Sequence, residues 1–126
     1  MIYSRKIYSE LLKHSKTPQV TVLTGMRRTG KTTLIKKLLS DLPNKNSIFL
    51  DFQRLDIREI FQEKNYEAIR NHLISQKLYP KNMIVAIDEI QLMPDATSAI
   101  KYLHDHYVIK FIITGSSSYY LKILFS

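Results

Sequence analysis

The sequence predicts an α/β fold in which a parallel sheet of about four strands lies between layers of helices. Three observations carry that prediction. Short β-branched, apolar runs alternate with segments of helical periodicity along the 126 residues, as in strands joined by right-handed crossovers. Two of these runs end in polar residues that bear chemistry, at the strand ends where open α/β sheets bind ligands. Between the first run and its helix lies Gly25-Met26-Arg27-Arg28-Thr29-Gly30-Lys31-Thr32, a complete G-x-x-x-x-G-K-[ST] pattern.

The elements follow in order. Residues 5–15 predict a helix with Ile7, Leu11 and Leu12 on one face. Residues 20–24 (VTVLT) form a buried strand. Leu34, Ile35, Leu38, Leu39 and Leu42 recur at helical spacing from Lys31 onward, and Pro43-Asn44 ends that helix. A second strand covers 47–52. A polar link with some apolar periodicity (Leu55, Ile57, Ile60, Phe61) leads to a helix over about 66–78, which Pro80-Lys81-Asn82 breaks. Residues 83–87 (MIVAI) are a continuous apolar strand running into Asp88-Glu89. Pro94-Asp95 opens a helix with Ile100, Leu103 and Tyr107 inward, and 108–114 form the last strand, followed by Gly115-Ser116-Ser117-Ser118.

Composition narrows the function classes. The chain has the size of one domain and lacks cysteine, which excludes structural disulfides, thiolate zinc sites and cysteine nucleophiles. Its N-terminus has no signal-peptide core, and its apolar runs are too short to span a bilayer. A cytoplasmic protein with no membrane partner is expected. The net charge of +8 is uneven: residues 1–46 hold ten Lys/Arg against Glu10 and Asp41, and residues 47–126 hold nine of each sign. The excess surrounds the glycine loop, and DNA or another nucleic acid is a second candidate for it beside the loop's own anionic ligand. His14, His72, His104 and His106 lack metal-site spacing and are expected on helix faces or the surface.

Strand, glycine loop and helix together make a phosphate-binding loop. Glycine permits backbone conformations that a Cβ forbids. Successive N–H groups of residues 25–33, Thr33 included, then wrap the phosphates at the positive end of the helix. Lys31 would reach the β- and γ-phosphates and the Thr32 hydroxyl would ligate Mg²⁺. At the end of the 83–87 strand, Asp88 would hold Mg²⁺ and Glu89 would orient the attacking water. A second carboxylate there favours a hydrolase over a small-molecule kinase. At the end of the last strand a polar side chain would contact the γ-phosphate and the water; Ser116 is the first candidate and Thr114 the second. Gln91 is expected to be solvated, with contact to the nucleotide edge or a partner as the alternative, and Tyr119-Tyr120 to pack against a further segment.

The stretches "VTVLTGMRRTGKTTLIKKLL", "IFLDFQ", "VAIDEIQLMPD" and "FIITGSSSYYL" resemble, in order and through nearly the whole chain, prokaryotic and especially archaeal AAA-type P-loop ATPases of the additional-strand, catalytic-glutamate class. The resemblance implies a three-layer α/β/α P-loop NTPase core with sheet order 1-4-3-2. It assigns Lys31 and Thr32 to Walker A, Asp88 and Glu89 to Walker B, and Ser116 to the sensor. ATP and Mg²⁺ are the implied cofactors, with adenine near residues 2–8. The family's fifth core strand would flank the first strand, and the chain stops before it. A single incomplete domain over 1–126 is therefore expected, with the first strand as an exposed edge open to self-association. Three functions stay open: an ATP hydrolase acting on another domain or partner, a nucleotide-binding switch without turnover, and a basic nucleic-acid-associated protein. A GTPase lacks its N-K-x-D signature; Pro43-Asn44-Lys45-Asn46 is misplaced and has no Asp.

Overall fold

A computed structural model describes residues 5–24, 30–76 and 78–115, the Ile7 side chain excepted. The elements are α1 (Arg5–Ser15), β1 (Thr21–Leu23), α2 (Lys31–Asp41), β2 (Ser47–Asp51), α3 (Leu55–Ile60), α4 (Tyr66–Ser75), β3 (Met83–Asp88), a 3-10 turn (Ile90–Leu92), α5 (Ala96–His106) and β4 (Ile109–Thr114). All strand pairs are parallel, in the order β1-β4-β3-β2. That is the order the resemblance implied.

Side-chain alternation along β3 and β4 divides the core into two layers. Ile84, Ala86 and Ile112 face α1 and α2, meeting Leu11, Leu34, Ile35 and Leu38. Met83, Val85, Ile87, Phe111 and Ile113 face the other way, onto Ile69 and Leu73 of α4 and Ala99, Ile100 and Leu103 of α5. Every residue of β3 is buried, as a strand covered by helices on both faces must be. Phe52 and Phe61 close the second layer edge to face, with ring centroids 5.4 Å apart.

Four details differ from the sequence expectation. In place of a buried strand over 20–24, β1 has three residues with Thr21 buried and Val22 37 % exposed, because it is the sheet's edge. The polar link contains α3, a helix without a fully buried residue; six residues with only Ile57 and Ile60 partly covered leave little periodic signal. Helix α4 stops at Ser75 instead of continuing to Leu78, and Leu78 returns to the core as loop, 9 % exposed. Its start is sharper than periodicity could show: Asn65 Oδ1 accepts the Glu67 N–H at 2.9 Å, an N-cap. The turn at Ile90–Leu92 breaks the chain between β3 and α5 where only a loop was expected.

The basic excess follows the layers. Arg5, Lys6, Lys13, Lys16, Lys36, Lys37 and Lys45 are exposed on α1, α2 and their flanks, against Glu10 and Asp41. Lys37 is held in part by Asp41, at 3.1 Å, and Lys36 lies 5.1 Å above the Phe49 ring. Burial and the Asp41 carboxylate hold the Tyr8 hydroxyl, which bonds Asp41 across α1 and α2, well above the ordinary phenol range. Among the described residues, no helix is long and apolar enough to cross a membrane.

Candidate nucleotide site

The parallel sheet brings the C-terminal ends of β1, β4 and β3 side by side. Gly30 precedes α2 with φ 87°, a left-handed value that costs glycine little and a β-carbon about 1–2 kcal/mol. It sets Lys31 and Thr32 on the first turn of α2, facing the strand ends. Residues 25–29 (Gly25, Met26, Arg27, Arg28 and Thr29) lie outside the described residues, as do Ser116 and Tyr119-Tyr120.

Lys31 is 2 % exposed. Its ammonium donates to the Gly115 carbonyl at 2.9 Å and lies 3.6 Å from Glu89 Oε1. A buried lysine charge is tolerated only with such partners. One side chain therefore ties α2 to the ends of both β4 and β3.

Asp88 is the second fixed point, 3 % exposed. Its Oδ2 accepts the Thr32 hydroxyl at 2.5 Å, and its Oδ1 accepts the Thr114 hydroxyl. Thr114 Oγ1 in turn accepts the Glu89 backbone N–H at 3.0 Å. Thr114 is thus a fully buried hub between the two acids. The sequence made it the second choice behind Ser116, because a threonine closing a strand carries no signal of two partners.

Glu89 adopts φ 64°, ψ 51°, a left-handed conformation unfavourable for a non-glycine residue. The bond to Thr114 and the 3-10 turn that follows hold it there, and Leu92 N–H closes that turn on the Glu89 carbonyl at 3.1 Å. The kink carries the Glu89 side chain back over the strand ends, beside Lys31. Gln91 corrects its expectation: Nε2 donates to Glu89 Oε2 at 2.8 Å, fixing the carboxylate. Neither the left-handed backbone nor this bond has a sequence signature. Thr33 is exposed on the first turn of α2.

The donor set suits Mg²⁺. The Thr32 hydroxyl gives its proton to Asp88, which leaves its oxygen lone pairs for a hard cation. Among the described residues no group of three His, Cys, Asp or Glu gathers to hold a metal by itself. One carboxylate and one hydroxyl, completed by phosphate oxygens and water, is the usual economy of a nucleotide-bound Mg²⁺.

A family model described as an AAA domain matches residues 17–124. The chain belongs to the AAA domain family. That membership supports nucleotide binding, and it covers the strands, the glycine loop and both acids. The fold is also similar to PCH-2 of C. elegans, with TM-score 0.64 and 17% identity over 98% of this chain and 41% of that one. The Drosophila ORC structure, bound to AT-rich DNA and Cdc6, gives TM-score 0.64 and 10% identity over 97% of this chain and 48% of that one. At these identities the likeness is one of fold. This AAA domain chain spans less than half the length of either structure. No curated protein matches it.

Proposed function

We propose that this chain binds Mg²⁺-ATP at the junction of α2, β3 and β4 and hydrolyses the γ-phosphate. The supporting observation is the closed set Lys31–Glu89–Thr114–Asp88–Thr32, in which every polar group is partnered and oriented toward one strand edge. Lys31 brings a buried positive charge for the β- and γ-phosphates. Thr32 and Asp88 would hold Mg²⁺, which when bound would supply positive charge against the phosphate oxygens. Glu89 accepts a proton from water and aims it in line with the bond to be broken. Thr114 acts through both acids, as a positioning residue, and Ser116 is the candidate for direct contact with the γ-phosphate. Residues 25–30 and Thr33 supply the amides of the loop. The motif resemblance supports reading this domain as a prokaryotic AAA-type ATPase of the cytoplasm that works on a further domain or partner.

The test is ligand-linked stability. ATP with Mg²⁺ at about 100 times its dissociation constant adds about 2.7 kcal/mol to the folded state, raising the melting temperature by several degrees. Lys31→Ala is expected to remove that increment. An equal rise in the variant would refute the site.

A second reading, polyanion binding, is favoured by the seven exposed cations of the α1–α2 layer. ORC is described as bound to AT-rich DNA; for this chain the charge pattern is the argument. Duplex binding is expected to fall steeply with salt, with a log–log slope of several units. No binding at moderate salt would end this reading.

A further inference from the structure

At the opposite end of the strands lies a cleft of about 870 Å³. It is walled by the segments that enter the strands: residues 15–19 before β1, 42–46 before β2, 79–82 before β3 and 107–108 before β4. This is the far end of the strands from Asp88 and Lys31, so the cleft and the nucleotide site share no residue.

One wall is firmly built. Asn46 Nδ2 donates to the carbonyls of Tyr79 and Lys81, each at 3.0 Å, and its Oδ1 accepts the Tyr79 N–H at 2.8 Å. Asn44 Nδ2 donates to the Asn82 carbonyl at 2.7 Å, with Asn82 in a left-handed conformation at φ 60°. The Pro43–Asn46 run that fails as a guanine signature is a clasp between two loops. On the opposite wall a His104 ring nitrogen lies 2.8 Å from the Pro18 carbonyl, joining α5 to the loop before β1.

The lining has one sign of charge. Among the described residues, Lys16, Lys81 and Lys110 border the cleft and no Asp or Glu does. The nearest acid to its histidine, Asp105, pairs with His104 Nδ1 at 3.5 Å and is not part of the lining. Lys110 donates to the Gln19 carbonyl and, at 3.3 Å, to the His14 carbonyl. An ammonium has three donors, and among the described residues the third meets no acceptor. Burial lowers the Lys110 pKa to about 8 with no carboxylate to offset it. Beside these cations stand two exposed apolar side chains, Tyr79 at 75 % and Val108 at 72 %. Large apolar groups grouped at a concave basic surface mark a binding surface.

We propose that this cleft binds an acidic peptide segment of a partner protein, with an apolar side chain on Val108 and Tyr79 and carboxylates on Lys110, Lys16 and Lys81. Charge complementarity selects the acid, since a carboxylate reaching Lys110 makes a charge-assisted bond in a partly desolvated place. The aliphatic wall of Val108, Leu42 and Pro43 selects a peptide over nucleic acid. Bases stack on aromatic or guanidinium planes; among the described lining residues Tyr79 is the exposed ring, with Tyr107 and His104 half-buried.

The experiment selects short random peptides, displayed on phage, on the folded chain. The expected winners carry Asp or Glu next to a Leu, Ile, Phe or similar residue. A synthetic copy of the leading peptide should bind Lys110→Met about tenfold more weakly, the loss of one charge-assisted bond. It should bind Val108→Asp hardly at all, and because Val108 is exposed that variant keeps the fold. Unchanged circular dichroism and unfolding midpoint would certify both variants without reference to ATP. The proposal is overturned if selection yields no sequence, if the winners lack acids, or if neither substitution weakens binding. It is also overturned if single-stranded DNA displaces the peptide and itself requires Lys110, which would assign the cleft to nucleic acid.

Discussion

Glu89→Gln is expected to lower ATP turnover by about 10² to 10⁴-fold, the usual contribution of a positioned general base, while nucleotide binding survives. The amide keeps the shape of the side chain and an oxygen for the Gln91 N–H that now fixes the carboxylate at 2.8 Å. It cannot take a proton from water. It also removes the negative charge 3.6 Å from the buried Lys31 ammonium, leaving that cation more dependent on phosphate, so ATP affinity should hold or rise. Single-turnover hydrolysis and equilibrium binding, measured side by side, separate the two effects. Turnover that is absent in the parent chain and unaffected by the substitution would favour the non-hydrolysing switch.

Phe111→Ala should have the largest effect on stability. Phe111 is fully buried on β4, in the sheet's interior, opposite Val85 of β3 and beneath α4 and α5. Removing a buried phenyl ring costs about 3–5 kcal/mol, through lost transfer energy and the cavity left behind. A domain's whole stability is about 5–15 kcal/mol. The denaturant midpoint should fall sharply at unchanged slope, or the chain should fail to fold at ambient temperature. A loss below about 1 kcal/mol would mean that the two layers do not close on β4 as described.

Most of this architecture is legible in the residues because parallel strands buried on both faces must be apolar throughout. MIVAI and FII announce β3 and β4, and the leucine spacing after Lys31 announces α2. Where burial weakens, legibility weakens with it: α3 buries no residue fully, with Ile57 and Ile60 only partly covered by the core. Helix α4 ends before Leu78, which reaches the core from a loop. The candidate site divides in the same way. Lys31, Thr32, Asp88 and Glu89 announce themselves by type and spacing. The geometry that makes them a unit does not. It depends on Thr114 bonding both acids from a neighbouring strand, on a left-handed Glu89, and on Gln91 turning back to the carboxylate. Each of these is a contact across the sheet or a backbone angle, and neither leaves a period in the sequence.

The cleft at the other end shows the same limit from the opposite side. Asparagine and proline between α2 and β2 signal a loop, and that much is correct. Nothing local tells that Asn46 reaches the backbone of residues 79 and 81 at the entry to the neighbouring strand.

The central claim, that Lys31, Thr32 and Asp88 form a Mg²⁺-ATP site, is tested most directly by calorimetric titration of ATP into the chain. The titration is run with and without Mg²⁺, beside Lys31→Ala. The account predicts saturable one-to-one binding that strengthens with Mg²⁺ and disappears in the variant. Binding that Lys31→Ala leaves intact, or no heat from a chain shown to be folded, would contradict it.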